Sequence, residues 1–211
     1  HGTAYNGVSS AMTAEVATGS VAVLDGVDDY IKTPIAFSSN GALSISAWYQ
    51  TNNMGKGRMT VVGGNNGGSF EVYVDQGKPG CRIWNSGEKS IFAAEQFVGD
   101  WHHVVCVQDY AAGQTKLYVD GVLRASSPYA SVSVGGFWHI GRPGSSGATY
   151  FQGMVDRVTM YNQTLDDADV QVLYTEQNIH SPLPQVDNSI LGEWKFEQSS
   201  WTAAAGQVVD F

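Results

Sequence analysis

Carboxylates are the residues of this sequence that could break bonds, and their spacing argues against catalysis. Hydrolysis of a glycosidic bond uses two carboxylates that flank the bond. Glu71 and Asp75 lie four residues apart, so they share a face of a strand but are distant along it, and Glu88 and Glu95 are isolated. No nucleophile elbow is present either. We therefore expect a protein that is not an enzyme.

Two adjacent histidines could suggest a metal ligand pair, but their setting favours a structural role. His102 and His103 lie in a segment, Trp101 to Gln108, that alternates with the period of a strand. Neighbouring strand residues point to opposite faces, so a metal would need ligands from elsewhere in the chain. We expect one histidine to point inward and the other outward.

The chain has two cysteines, Cys81 and Cys106, and can form one disulfide. If the strand that ends near Ser86 turns back into the strand that opens at Trp101, the two cysteines face each other across an antiparallel pair. That register predicts a disulfide in an oxidising compartment. The alternative is two small buried apolar side chains.

Aromatic rings and amides form a second group of candidates, because a sugar site would use an aromatic platform flanked by amides. For each aromatic residue, packing in the core is the competing interpretation. The loop Gly63 to Ser69 is rich in glycine but lacks the lysine and the helix of a phosphate-binding loop. The candidates are Trp48, Asn65, Asn66, Trp84, Asn85, Trp138 and Tyr150.

The segments that must position these side chains are predicted to be short antiparallel strands. Leu43 to Gln50 alternates cleanly, and Asp120-Gly121 predicts a type I′ hairpin turn, which needs positive φ at both central residues. Gly153 predicts a bulge or a close-packing point in a long strand. The one good helical pattern, Leu165 to Gln177, has Thr164 as its expected N-cap, with Leu165, Val172 and Leu173 on a shared face.

Other segments carry weaker signals. We expect His1 to Gly7 to be turn-like, Val8 to Ser20 to be irregular, and Phe92 to Phe97 to be extended. About a dozen short strands with frequent tight turns and one peripheral helix predict an all-β antiparallel sandwich.

Composition limits the possible partners. The chain has 211 residues, 43% of them hydrophobic, which is enough for the core of one domain. The net charge of −9 argues against nucleic acid or an anionic membrane as partner. An acidic surface suits calcium or neutral sugars, or simply solubility. No apolar run approaches the roughly 20 residues of a membrane helix.

Five segments together resemble the LamG-like, concanavalin A-type jelly-roll domains that are repeated in bacterial surface and secreted proteins. The resemblance implies a concanavalin A-like jelly roll and an extracellular location, secreted or at the cell surface. The segments are VAVLDGVDDYIKTP (Val21 to Pro34), LSISAWYQ (Leu43 to Gln50), WHHVVCVQDY with KLYVDGVLRAS, HIGRP (His139 to Pro143) and FQGMVDRVTMYNQTLDDADVQVLY (Phe151 to Tyr174).

The resemblance also implies a division of the chain. Residues 1–178 form the jelly-roll domain, 179–189 a linker, and 190–211 a C-terminal strand segment. In the family, a strand like Trp194 to Glu197 usually comes first, and the abrupt start at His1 is typical of a piece of a longer protein. The segment would complete the sandwich in cis, swap with a neighbour and so support self-association, or belong to a following repeat.

Calcium is implied by the resemblance alone. In many such jelly rolls the aspartate of the FxGxxDxVxxY motif, here Asp156, is a ligand of a structural calcium ion, and Asp210 would be a second ligand. Phe211 replaces the usual small polar turn beside Asp210, and calcium needs six to eight oxygens. The alternative is that Asp156 pairs with Arg157 or Arg142.

Two further features distinguish this chain from relatives of known chemistry. The E-x-D-x-x-E run of hydrolases with this architecture is absent, and the loop Arg142 to Ala148 replaces the acidic calcium loop of pentraxins. We therefore expect a non-catalytic module that binds a glycan or a cell-surface protein. The alternatives are a calcium-stiffened spacer repeat and, third, a polysaccharide-degrading enzyme.

Overall fold

A computed structural model describes residues 2–13, 19–36, 42–64, 70–84, 87–128, 137–142, 149–177, 190–194 and 208–209. These residues form strands and one helix, α1, which is too short and too polar to cross a bilayer. The elements are β1 Gly2–Tyr5, β2 Ser9–Thr13, β3 Gly19–Asp25, β4 Tyr30–Ala36, β5 Leu43–Gln50, β6 Met59–Gly64, β7 Phe70–Asp75, β8 Lys78–Trp84, β9 Glu88–Phe92, β10 His102–Asp109, β11 Gln114–Val119, β12 Val122–Ser127, β13 Phe137–Ile140, β14 Gln152–Tyr161, α1 Asp167–Gln177, β15 Ile190–Trp194 and β16 Val208–Val209.

The strands form two antiparallel sheets that enclose one apolar core. The first sheet has the order β16-β1-β4-β13-β6-β7-β8-β9, and the second has the order β12-β11-β10-β5-β14-β3-β2, with β15 also paired to β14. The expected antiparallel β-sandwich with one short helix is confirmed.

The alternation of β5 explains how the sandwich forms. Its odd-numbered residues from Leu43 to Tyr49 are buried in the core between the sheets, and a side chain of that size contributes about 1.5–3 kcal/mol when it leaves water. Trp48, on the opposite face, stacks on Tyr174 of α1 at a ring distance of 5.8 Å. The helix therefore covers the outer face of the second sheet and leaves the outer face of the first sheet without a helical cover in the described part of the chain.

Two predicted backbone features are confirmed. Asp120 and Gly121 both have positive φ, 52° and 75°, as the type I′ turn between β11 and β12 requires. Gly153 has a φ of 144°, and a Cβ there would lie 2.1 Å from the carbonyl oxygen of Gln50. Only glycine permits this close approach of β14 to β5.

The disulfide between Cys81 and Cys106 is confirmed, with Cα atoms 5.8 Å apart, but the register that suggested it is wrong. β8 turns back into β9, not into β10, and β10 pairs with β5 and β11 in the other sheet. The disulfide therefore joins the two sheets through the core instead of bridging neighbouring strands.

The helix begins later than the sequence suggested. Asp166, not Thr164, is the N-cap, because its carboxylate accepts the backbone N–H of Asp169 at 2.9 Å while the Asp169 carboxylate accepts that of Asp166 at 3.0 Å. Leu165 and Leu173 pack on the second sheet together with Val170, whereas Val172 is 36% exposed and was wrongly placed on that face.

Three strands were missed, and the C-terminal segment pairs with both sheets. β1 and β2 replace the turn and the irregular stretch expected before Ser20, and β9 precedes the Phe92–Phe97 stretch, which forms no strand after Phe92. β15 pairs with β14 and β16 pairs with β1 of the same chain. The division into a domain, a linker and a terminal segment stays a prediction.

Candidate functional site

A stacked pair of tyrosines lies on the outer face of the first sheet. Tyr5 of β1 and Tyr30 of β4 are opposite each other in the strand register. Their rings are parallel within 4° with centroids 4.6 Å apart. The inward neighbours Ala4 and Ile31 are buried in the core, so strand alternation turns both tyrosines outward. Both are half-buried, which leaves part of the stack accessible.

A cation and a third tyrosine extend this stack. The guanidinium of Arg142 lies 4.5 Å from the centre of the Tyr30 ring, and Tyr150 lies 6.5 Å from the same ring. Burial raises the pKa of Tyr30, while Arg142 acts in the opposite direction. Tyr30 therefore stays a neutral phenol that can donate and accept hydrogen bonds.

Lys32 and His139 complete the group, which we call the tyrosine–cation patch: Tyr5, Tyr30, Lys32, His139, Arg142 and Tyr150. Lys32 and His139 are opposite each other in the pairing of β4 with β13. His139 is 4% exposed and meets Tyr30 edge-on at 5.5 Å, and its Nδ1 has no hydrogen-bond partner within the described part of the chain. Burial, and then the charges of Arg142 and Lys32, lower the pKa of His139 to about 4.

A cleft of about 610 Å³ opens between the β5–β6 connection and the start of β14, and its lining residue Gln152 follows Tyr150 of the patch by two residues. We call it the amide cleft, because three of its lining side chains are carboxamides. Met54, which is 52% exposed, adds an apolar surface. The lining residues are Asn52, Asn53, Met54, Gly55, Gln152 and Gly153.

Hydrogen bonds within the loop fix the orientation of the amides. The Asn53 side-chain oxygen accepts the backbone N–H groups of Gly55 and Lys56 at 3.1 and 2.9 Å. Its nitrogen donates to the Gln152 side-chain oxygen. This hydrogen bond orients the exposed Gln152 amide, so the cleft presents a positioned side-chain nitrogen as a donor beside the exposed Asn52.

An acidic turn lies between β3 and β4, next to both features. The carboxylates of Asp25, Asp28 and Asp29 lie within 4.8 Å of one another, the one such cluster of His, Cys, Asp or Glu among the described residues. Asp29 is 4% exposed. Burial raises its pKa, the hydrogen bond from the Asp25 backbone opposes this, and the Asp25 and Asp28 charges add to it. The cluster by itself does not define a metal site.

Glu71 of β7 and Glu88 of β9 form an ion-pair network with two arginines. Glu71 is 1% exposed and accepts hydrogen bonds from Thr60 and from Arg82, the latter at 2.9 Å. Arg82 also lies 3.3 Å from Glu88, which pairs with Arg58 at 2.7 Å. Both oxygens of Glu71 are therefore engaged by internal partners.

The structure separates the candidates that the sequence suggested. Trp48 and Trp138 are 3% and 1% exposed, so they pack in the interior and offer no face to a ligand in this structure. Tyr150 lies in the tyrosine–cation patch. Asn65, Asn66 and Asn85 lie outside the described residues, and of Trp84 only the backbone, at the end of β8, is described.

The calcium ligands inferred from the resemblance stay a prediction. Asp156 is buried, accepts the backbone N–H of Arg157 at 2.7 Å, and lies 3.7 Å from the Arg157 guanidinium. This arrangement matches the ion pair considered as the alternative. Asp210 lies outside the described residues.

Most residues of the two features were missed from the sequence. Strand alternation could have identified three of them. Tyr30, Lys32 and His139 are sequence neighbours of the core residues Ile31 and Ile140, so a strand at these positions turns their side chains outward. Asn52 and Asn53 follow the strand Leu43–Gln50 after one intervening residue, in a connection that was not singled out from the sequence. The approach of Gln152 to Asn53 depends on tertiary packing and had no signal in the sequence.

Comparison with known proteins found a family model that matches this chain. The family model described as the concanavalin A-like lectin/glucanases superfamily matches residues 25–171, more than half of the chain. A search of curated proteins found no match.

Several solved structures share the fold at low sequence identity. A heptameric SAP-like pentraxin from Limulus polyphemus has a TM-score of 0.61 at 13% identity, over 87% of this chain and 94% of its own. Domain 4 of AbnA, a GH43 extracellular arabinanase from Geobacillus stearothermophilus, solved with arabinotriose, gives 0.66 at 19% identity over 82% and 87%. The binding domain of botulinum neurotoxin serotype G gives 0.64 at 14% over 83% and 46%.

Proposed function

Because the chain belongs to the concanavalin A-like lectin/glucanase superfamily, we propose that it is a non-catalytic carbohydrate-binding module of a secreted or cell-surface bacterial protein. The family contains lectins and glucanases, so the family alone leaves both classes open. The choice between them depends on the chemistry of the side chains that this chain exposes.

The amide cleft is the observation that carries the proposal. Sugar hydroxyls are at once donors and acceptors, and carboxamides offer both in a fixed geometry. Asn53 holds the Gln152 side chain in place, so the cleft is pre-organised and loses little entropy when a sugar binds. The half-exposed Met54 supplies an apolar surface for the C–H groups of a sugar ring.

The absence of catalysis is part of the proposal. A general acid and a nucleophile must both reach the scissile bond. Glu71, the most central acid on the outer face of the first sheet, has Thr60 and Arg82 on its two oxygens. The amide cleft is lined by neutral side chains.

Two further points support an extracellular binding role. Domain 4 of the arabinanase, which has the same fold, was solved with arabinotriose. The Cys81–Cys106 disulfide is typical of proteins that work in oxidising compartments. A glycan is the preferred partner, and a cell-surface protein is the alternative.

A glycan array probed with purified protein, with calcium and with chelator, tests the proposal. We expect selective binding that falls about tenfold or more in Gln152→Ala, because one well-placed hydrogen bond is lost. Gly55→Leu should abolish binding, since nothing lies within 4 Å of a Cβ at that position and the new side chain would occupy the cleft without disturbing the fold.

Gly57→Leu is the matched control, because Gly57 is equally unobstructed but does not line the cleft. It should bind like the parent protein. If no glycan is bound, the spacer role is favoured and the proposal is wrong. Equal binding by Gly55→Leu and the parent would place the site elsewhere.

A further inference from the structure

The tyrosine–cation patch concentrates positive charge on a protein whose net charge is −9. Lys32 and His139 are cross-strand partners, and Arg142 follows β13 by two residues. The charges that act on His139 are those of Arg142 and Lys32, both positive. The acidic turn of Asp25, Asp28 and Asp29 lies next to the patch and offsets part of this field, but the charges that act on His139 itself are the positive ones.

Aromatic rings hold both cations in place. Lys32 Nζ lies 4.2 Å from the centre of the Phe137 ring, and Arg142 lies 4.5 Å from the centre of the Tyr30 ring, which in turn stacks on Tyr5. Cation–π contacts of this kind restrict long side chains that otherwise move freely. The two charges are therefore presented in a pre-organised arrangement, which reduces the entropy lost on binding.

His139 provides an observation that is independent of these charges. Its Nδ1 is buried and has no hydrogen-bond partner among the residues that the structure describes, although the residue lies on the outward face of β13. A buried polar atom without a partner costs about 1–3 kcal/mol. Because the atom is buried in this structure, a ligand oxygen can remove that cost only if the His139 ring turns its Nδ1 toward the surface.

The patch also contains rings suited to a sugar. Tyr5, Tyr30 and Tyr150 lie together, and each has a phenol hydroxyl. Because Tyr5 and Arg142 lie against the Tyr30 ring, Tyr5 and Tyr150 are the rings that a sugar would contact. A carboxylate pairs best with a guanidinium and an ammonium that are already positioned. Rings and cations on one surface match a ligand that has a pyranose ring and a carboxylate together.

We infer that the tyrosine–cation patch binds a carboxylate-bearing sugar, a uronic or sialic acid residue of a glycan, with the positive charges of Arg142 and Lys32 attracting the carboxylate and a tyrosine ring contacting the sugar. This inference rests on the proposed function and names its ligand class. The amide cleft, at the end of the sandwich beside the patch, would hold a neighbouring neutral residue of the same glycan.

Calorimetric titration with paired ligands tests the inference. The ligands are oligosaccharides ending in glucuronate, galacturonate or sialate, each compared with its own methyl ester, which keeps the ring and removes the charge. We expect at least one acid to bind about tenfold or more tightly than its ester at low salt. That preference should shrink as salt is raised, because the patch is partly exposed.

The variants Lys32→Gln and Arg142→Gln should each lower affinity for the acid to near that of the ester. Lys89→Gln and Arg124→Gln, which change exposed cations on β9 and β12, are matched controls and should bind like the parent. Melting curves of all four variants check that the fold is retained.

The outcomes separate this inference from the proposed function. If acid and ester bind equally, or if only neutral glycans bind and Gly55→Leu abolishes that binding, the patch inference is wrong while the proposed function stands. If an acid is preferred but Lys32→Gln and Arg142→Gln bind it like the parent, the inference is also wrong. Binding of no glycan at all overturns both.

Discussion

His103 is enclosed between the second sheet and α1 and should make stability depend on pH. It is 0% exposed, its Nε2 lies 2.7 Å from the Ser46 hydroxyl, and its ring lies near those of Trp48 and Tyr174. Burial lowers its pKa to about 3, although the Asp120 charge acts in the opposite direction. The folded state therefore keeps the imidazole neutral.

Because the folded pKa lies below the ordinary value of 6.5, the unfolded state takes up the proton first as the pH falls. The contribution to stability is complete above pH 6.5 and is lost between about pH 6.5 and 3. Urea unfolding should show a loss of about 2 kcal/mol from His103 between pH 7 and pH 5. The variant His103→Gln should lack this component, and an unchanged pH dependence in the variant would contradict the assignment.

Residue identity predicted part of the site, and tertiary context decided the rest. Tyr150 was a candidate from the sequence and lies in the tyrosine–cation patch. Trp48 was a candidate for the same reason, but Tyr174 of α1 stacks on its ring and covers it. Trp48 is buried by a helix that is distant from it in sequence. A local sequence pattern therefore cannot distinguish a buried aromatic residue such as Trp48 from an accessible one such as Tyr150.

At the scale of the element, Gly153 is the position where β14 tolerates no side chain. A Cβ would approach Gln50 O to 2.1 Å, and the φ of 144° is unfavourable for any other residue. Gly153→Ala should destabilise the protein by about 2–4 kcal/mol, measured by urea unfolding. Gly57→Ala is the control and should change stability by less than about 0.5 kcal/mol, since its Cβ meets nothing within 4 Å. Equal effects would argue against close packing at Gly153.

Strand prediction succeeded for β5 and failed for the edge strand β9, and the two differ in how their side chains are buried. β5 has the predicted bounds, because core-facing and outward-facing residues alternate along it. In β9, the first three residues are exposed and Phe92 is 55% exposed, so this edge strand carries no hydrophobic alternation. Missing β9 also produced the wrong register for the cysteines.

At the scale of the whole molecule, the disulfide links the two sheets and should stabilise their association. Cys81 and Cys106 are 25 residues apart, and a cross-link of that length removes unfolded-state entropy worth about 3 kcal/mol. Unfolding in urea with a reductant present should show a loss of about this size.

The double variant Cys81→Ala/Cys106→Ala is the control for this measurement. It should be less stable than the oxidised parent and insensitive to reductant. A parent protein whose unfolding midpoint is the same with and without complete reduction of the disulfide would contradict the prediction.

The architecture as a whole was predictable because it rests on motifs and periodicity. Tight turns such as Asp120-Gly121 and strands such as Leu43–Gln50 limit the chain to an antiparallel sandwich. The strand order was not predictable in the same way, because pairings such as β13 with β4 and β6 join segments far apart in sequence.

β14 has a consequence for how the protein is made. Two strands pair with the same edge of β14. Its residues Gln152 to Val155 pair with β3, and its residues Val158 to Tyr161 pair with β15. On the ribosome β3 is synthesised before β14, but β15 follows it. The nascent chain therefore carries an uncovered strand edge until residues 190–194 emerge, and during that interval a chaperone or a second nascent chain can reach it.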